Sequence, residues 1–144
     1  MKFQNILVPV DLSKHSLKSF KTALDISKKY HSKLTVLSCI EIFPAYRLYY
    51  ASTTLSQQTK KQISIVKNHF NELELMAKKH DISINFKILK SYSVVKDIVN
   101  FAKSKKFDLV IIGSHGRTGF DKLLLGSVAN GVSQKIKCSV LIVK

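Results

Sequence analysis

The feature that most constrains this chain is an alternation of short, nearly continuous apolar runs with longer segments whose apolar residues recur every three or four positions. Asn5-Ile6-Leu7-Val8-Pro9-Val10 is apolar almost throughout and stops at Asp11. That is the pattern of a strand covered on both faces, and such strands belong to parallel sheets. Ser13 then stands where a helix N-cap would, and Leu17, Phe20, Ala23, Leu24 and Ser27 form one face of an amphipathic helix reaching about Tyr30. Leu34 to Ile40 repeats the apolar strand. From about Thr53 to His80, the spacing of Ile63, Val66, Phe70, Leu73 and Ala77 predicts the longest helix. Ile82 to Ile88 alternates strictly, which predicts a strand with one wet face at a sheet edge. Val94, Val95, Ile98, Phe101 and Ala102 predict a further helix, Asp108 to Gly113 a buried strand, Gly126 to Ile136 a last helix and Ser139 to Val143 a fifth strand.

Strands that alternate with helices require right-handed parallel crossovers. The fold class is therefore α/β, a doubly wound parallel sheet with helices on both faces. At 144 residues the chain is a single domain, with no linker or internal repeat. In such sheets ligands sit beyond the carboxyl ends of the strands, where the strand order reverses. The places of interest are thus Val10-Asp11, Cys39-Ile40 and Gly113 onward.

The charge balance, 24 Lys and Arg against 9 Asp and Glu, gives +15 and raises the question of a nucleic-acid or membrane partner. Only Arg47 and Arg117 are arginine, and the lysines are scattered without a basic run or an aromatic-basic motif. A solvated lysine-rich surface is the expectation, with no specific nucleic acid. The longest apolar runs, such as Leu109 to Ile112, are far short of a membrane span. The first residues lead into a strand without a secretory pattern, so a cytoplasmic location is expected. Cys39 and Cys138 fit neither a disulfide framework nor a metal motif, and no two of the five histidines stand at HxxxH spacing. No dedicated metal site and no catalytic residue is assigned.

All five glycines (Gly113, Gly116, Gly119, Gly126, Gly131) fall within nineteen consecutive residues. That segment needs either positive φ angles or close approach of another group to its backbone. Successive exposed N–H groups, with a helix N-terminus near Gly126, make a concave anion site, and phosphate is the expected anion. The segment is neither a Walker loop nor GxGxxG.

The pattern Gly-x2-Gly-x9-Gly-Ser, together with Ile6 to Asp11 and Ser114-His115-Gly116-Arg117, resembles the universal stress protein family from Lys2 to Val143. The complete motif is similar to that of the ATP-binding branch. The resemblance implies a Rossmann-like, adenine nucleotide alpha hydrolase-like sheet of five strands in the order 3-2-1-4-5, in a cytoplasmic homodimer paired through Val140 to Val143. It implies ATP or AMP as ligand, with Mg2+ or Mn2+ bridging the phosphates. By position, Asp11 would bond ribose, Pro9 and Val10 would line the pocket, and the backbone of Cys39 would read adenine. Ile112 and Gly113 would flank the ribose, while Gly116, Gly126, Ser127 and Val128 would present N–H or hydroxyl groups to the phosphates. Arg117 reads equally well as a solvated loop cation or a phosphate clamp, and Asp11 has a helix-capping alternative. Ser91-Tyr92-Ser93 departs from the glycine and proline common in the family before the third helix.

The function implied is a nucleotide-binding regulatory module with an unknown protein partner and at most slow ATP hydrolysis. The alternative is a protein-interaction module of the same fold that works without nucleotide. Gly126→Val is expected to block phosphate approach with the fold intact.

Overall fold

A computed structural model describes residues 3–43, 52–117 and 125–144. The tyrosine-rich stretch Tyr46 to Tyr50 and Gly119 lie outside the described residues. Among the described residues nine elements follow in order: β1 (Asn5–Pro9), α1 (Lys14–Tyr30), β2 (Lys33–Glu41), α2 (Ser52–Lys78), β3 (Ile84–Ser91), α3 (Val94–Ser104), β4 (Leu109–Gly113), α4 (Ser127–Lys135) and β5 (Ser139–Val143). All strand pairs are parallel, and the sheet order is β3-β2-β1-β4-β5.

Two apolar layers follow from the two-residue period of the strands. On one face, Ile6, Val8, Leu34, Val36 and Ile111 pack with Phe20 and Leu24 of α1 and with Phe70 and Leu73 of α2. On the other, Leu7, Leu37, Val110 and Ile112 pack with Ile98 and Ala102 of α3 and with Ala129 and Val132 of α4. The unbroken apolar runs of β1 and β4 thus reflect cover on both sides.

The third strand begins at Ile84 and runs to Ser91, later at both ends than its alternation predicts. Ile82 is drawn into the end of α2, where its N–H donates to the carbonyl of Ala77 and Asp81 takes a φ of 57°. The carboxyl end is carried on by eight register pairs with β2, from Leu34↔Ile84 to Glu41↔Ser91. The strand is an edge, with Asn85 and Lys87 exposed and Phe86 stacked on Phe70, ring centroids 4.6 Å apart.

Left-handed backbone occurs at Leu12, His31, Asp81 and Lys106, all non-glycine. None of the glycines at 113, 116, 126 and 131 has a φ in that region. Their shared property is close approach. A Cβ on Gly113 would lie 2.7 Å from the backbone carbonyl carbon of His15, so α1 rests its first turn directly on the end of β4. Gly113→Ala forces backbone against backbone and is expected to destabilise the fold by about 1–3 kcal/mol. Urea unfolding checks this, and a midpoint equal to that of the wild type contradicts it.

Candidate functional site

The β1–β4 ladder has only two register pairs, Ile6↔Leu109 and Leu7↔Val110. Past them, Val8 and Pro9 stay in register with β2, while Ile111, Ile112 and Gly113 stay in register with β5. Proline accounts for the split. Val10 donates its N–H to the carbonyl of Leu37 on the β2 side, at 2.8 Å, so the alternation of the backbone turns the preceding N–H toward β4. Pro9 has none to give. The strands part at their carboxyl ends and leave a crevice at the reversal of strand order, bordered by the buried residues Pro9, Val10, Ile112 and Gly113.

The turn from β1 into α1 supplies one carboxylate to this crevice. Ser13 caps α1, its hydroxyl accepting from the N–H of Ser16 at 3.1 Å. Asp11 holds the cap in place, as Oδ1 accepts from the N–H of Ser13 at 3.1 Å. Its other oxygen, Oδ2, accepts from the N–H of Arg117 across the crevice, also at 3.1 Å. Gly116 makes this reach possible, because a Cβ there would come within 2.7 Å of Oδ2. Asp11 therefore supports the cap and ties the glycine loop to the end of β1.

On the opposite wall, the N–H of Ser114 donates to the carbonyl of Val143 at 2.7 Å, which anchors the loop to β5. The carbonyl of Ser114 accepts from the N–H of Gly126, also at 2.7 Å. This corrects one expectation: the Gly126 donor closes the loop and is not presented to a ligand. The first bond of α4 runs from Asn130 to the carbonyl of Gly126 at 3.0 Å. The N–H groups of Ser127, Val128 and Ala129 precede it and, with no acidic residue in the first turn, form an electropositive helix end. A Cβ on Gly126 would point at the carbonyl of Ser114 and the Cα of His115, each 3.2 Å away. A valine there strains the loop from within, so Gly126→Val does not isolate phosphate binding from folding.

The remaining predicted positions take up distinct places. Arg117 is exposed, and its main-chain N–H is what meets Asp11. Cys39 is half-buried on β2, in register with Leu89. Burial, with smaller contributions from the charges of Asp97 and Glu41, pushes its thiol up to about 12. Two residues that spacing arguments passed over, His15 and Ser114, also belong to the crevice wall. Ser114 is buried, and the rings of His15 and His115 meet with centroids 5.4 Å apart, although 100 positions separate them in the chain.

A thiol held near 12, against an ordinary 9.0, has about a thousandfold less thiolate at pH 8. Cys39 in the folded protein is expected to resist iodoacetamide and to react on unfolding. Peptide mapping after timed alkylation checks this, and rapid native labelling of Cys39 contradicts it.

Comparison with known proteins agrees with this architecture. The chain matches the universal stress protein family over residues 2–144. It is 30% identical over 148 residues to a universal stress protein of Methanocaldococcus jannaschii, covering 99% of this chain and 82% of the relative. The fold superimposes on the universal stress protein UspA of Lactobacillus plantarum with a TM-score of 0.88 at 21% identity, over 100% of this chain and 99% of that one. An Archaeoglobus fulgidus universal stress protein in complex with dAMP superimposes with a TM-score of 0.68 at 18% identity, over 100% of both chains. With its whole described length accounted for by that match and its sheet order by that fold, the chain belongs to the universal stress protein family.

Proposed function

We propose that the crevice between β1 and β4 binds an adenine nucleotide, ATP or AMP, and that occupancy regulates the protein's interaction with another protein. The observation that carries this reading is the pairing of opposite chemistries across one narrow opening. A carboxylate, Asp11, meets the glycine loop within 3.1 Å, and the unsatisfied N–H groups of Ser127 and Val128 stand at the start of α4. The first suits a ribose hydroxyl, the second a phosphate. Gly116 and the hydroxyl of Ser127 add to the phosphate side, with Arg117 as an exposed cation beside it. Pro9, Val10, Ile112 and Gly113 form the apolar border, and in this reading the main chain of Cys39 on β2 reads the base. The dAMP complex of the Archaeoglobus fulgidus relative supports the same ligand class.

The donor set fits a phosphate group and its counterion. No cluster of three or more His, Cys, Asp or Glu side chains occurs among the described residues, so Mg2+ or Mn2+ would take its ligands chiefly from the phosphates and water. Backbone donors bind a phosphate without activating water, so any ATP hydrolysis is slow. We further propose a cytoplasmic homodimer. β5 pairs with β4 on one side, and Leu141 on this edge is 37% exposed, a combination that favours antiparallel pairing of Val140 to Val143 with a second copy. Among the described residues no helix is long and apolar enough to cross a membrane.

Nucleotide released by denaturing the purified protein and identified by mass spectrometry, followed by calorimetry of stripped protein with ATP and magnesium, tests the central reading. The expected stoichiometry is about one per chain. Ser127→Pro removes one donor N–H at the first helical position, where proline is favoured, and Gly126 at φ −67° and ψ 160° already has the backbone a pre-proline residue adopts. We expect ATP binding about tenfold weaker with helix content unchanged. Asp11→Asn should weaken adenosine nucleotides by a similar factor of about ten through loss of a charge-assisted bond. Absence of binding in the wild type overturns the reading in favour of a nucleotide-independent interaction module. For the dimer, Leu141→Lys should shift sedimentation to the monomer, and an unchanged mass contradicts the β5 interface.

A further inference from the structure

We propose that the free edge of β3, with the groove between it and α2, takes up an extended segment of another protein in which acidic and apolar residues alternate, as an added strand of the sheet. The inference goes beyond the nucleotide reading and does not depend on it, since β2 separates this edge from the crevice. The hydrogen bonds of the ladder identify which backbone groups are free. The carbonyl of Ser91 accepts from the N–H of Ile42 at 2.7 Å, so Ser91 faces β2. The carbonyl of Leu37 accepts from Val10 on the β1 side, so in the register pair Leu37↔Lys87 it is Lys87 that bonds to β2. Both observations assign Asn85, Lys87, Leu89 and Ser91 to that ladder over an unbroken register. The N–H and C=O groups of Ile84, Phe86, Ile88 and Lys90 therefore point outward, and among the described residues β3 pairs with β2 alone.

Beside this row of outward groups lies a groove of about 520 Å³ between β3 and α2. Phe70, Phe86 and Ile88 form its apolar floor, with the two rings stacked at 4.6 Å, and Lys67 and Glu74 border it on α2. Glu74 is the one acid in the lining, and its carboxylate already meets Lys78 at 3.7 Å. Phe86 and Ile88 belong to the layer under α2 and Leu89 to the opposite layer, which puts Lys87 on the face of Leu89. Lys67, Lys87 and Lys90 are all exposed. The side chains of an added strand alternate in the same way. One set enters the groove over the aromatic floor, where apolar residues bury surface, and the other lies on the face of Lys87, where carboxylates meet an ammonium group. A second copy of this chain is a poor occupant, because pairing two β3 edges brings Lys87 and Lys90 of one chain against those of the other, on chains of +15 each. Lysine on an edge strand opposes self-pairing in this way, and the same charges select an acidic partner.

Fluorescence anisotropy of a labelled peptide of alternating glutamate and valine, as long as β3, measures the interaction on the full chain without nucleotide. We expect saturable binding to the wild type, about tenfold weaker in Lys67→Glu/Lys87→Glu, which reverses charge at exposed positions only. The same peptide with its amides N-methylated keeps its charges but has no donor for the ladder, and it should also bind about tenfold more weakly. Hydrogen exchange followed by NMR reads the edge itself and needs no variant: the amides of Phe86 and Ile88 should exchange about tenfold more slowly with the peptide bound. Equal binding of the methylated peptide, or exchange at Phe86 and Ile88 unaffected by bound peptide, means that charge alone holds the peptide and overturns strand addition. Protection of these amides that rises with the concentration of the protein alone identifies a second copy as the occupant and overturns the proposal, as does absence of peptide binding.

Discussion

The missing N–H of Pro9 is the constraint on which the arrangement of this molecule turns. A parallel sheet buried on both faces tends to continue its ladders until the strands end. Here β1 and β4 hold together over two register pairs and then separate, because the backbone group that would extend the pairing toward β4 is absent. The neighbouring ladders do not share this fate: β1 follows β2 to Leu37, and β4 follows β5 to Val143. The result is an opening at the one place where the strand order reverses and where the start of α1 and the start of α4 both face it.

The glycines then determine how narrow that opening is. Gly113 admits the first turn of α1, Gly116 admits the carboxylate of Asp11, and Gly126 is pressed against the backbone of Ser114 and His115. None of these contacts depends on a left-handed backbone, and the turns that do adopt one use Leu12, His31, Asp81 and Lys106. Glycine stands at these three positions because three chain segments converge there, so that a Cβ would meet backbone or carboxylate atoms at 2.7–3.2 Å, closer than ordinary van der Waals contact. The same convergence brings a carboxylate and the first N–H groups of α4 to one place, and the proposed nucleotide site is built on that combination.

The large positive charge plays a different part. Among the described residues the ion pair of Lys78 with Glu74 and the contact of His69 with Glu72 both lie along α2, joining side chains four and three positions apart. Most lysines are therefore solvated, and they contribute little to folding. Together they give the molecule a positive potential that raises the local concentration of anions. Such a potential selects for charge and not for chemical identity.

The elements and the layers they form were legible in the sequence because strand and helix periods report burial directly, whereas the strand order was implied only by the family resemblance. Ile6 to Val10 and Leu109 to Ile112 are apolar throughout because both faces are covered, and Leu17 to Ser27 has the spacing of one covered helix face. The edge position of β3 could be read from its alternation, but its boundaries could not, since they depend on the cap of α2 and on pairing with β2. The clustering of glycine identified the loop, yet not what each glycine accommodates. That Gly126 donates to Ser114, that Asp11 accepts from Arg117, and that His15 meets His115 are relations between residues as many as 106 positions apart. Local periodicity carries no information about such pairs. By itself the sequence determined which segments are strands and helices and which faces they bury, because those are properties of neighbouring residues; the tertiary structure alone decided which side chains share the crevice, because that depends on where right-handed crossovers return the chain.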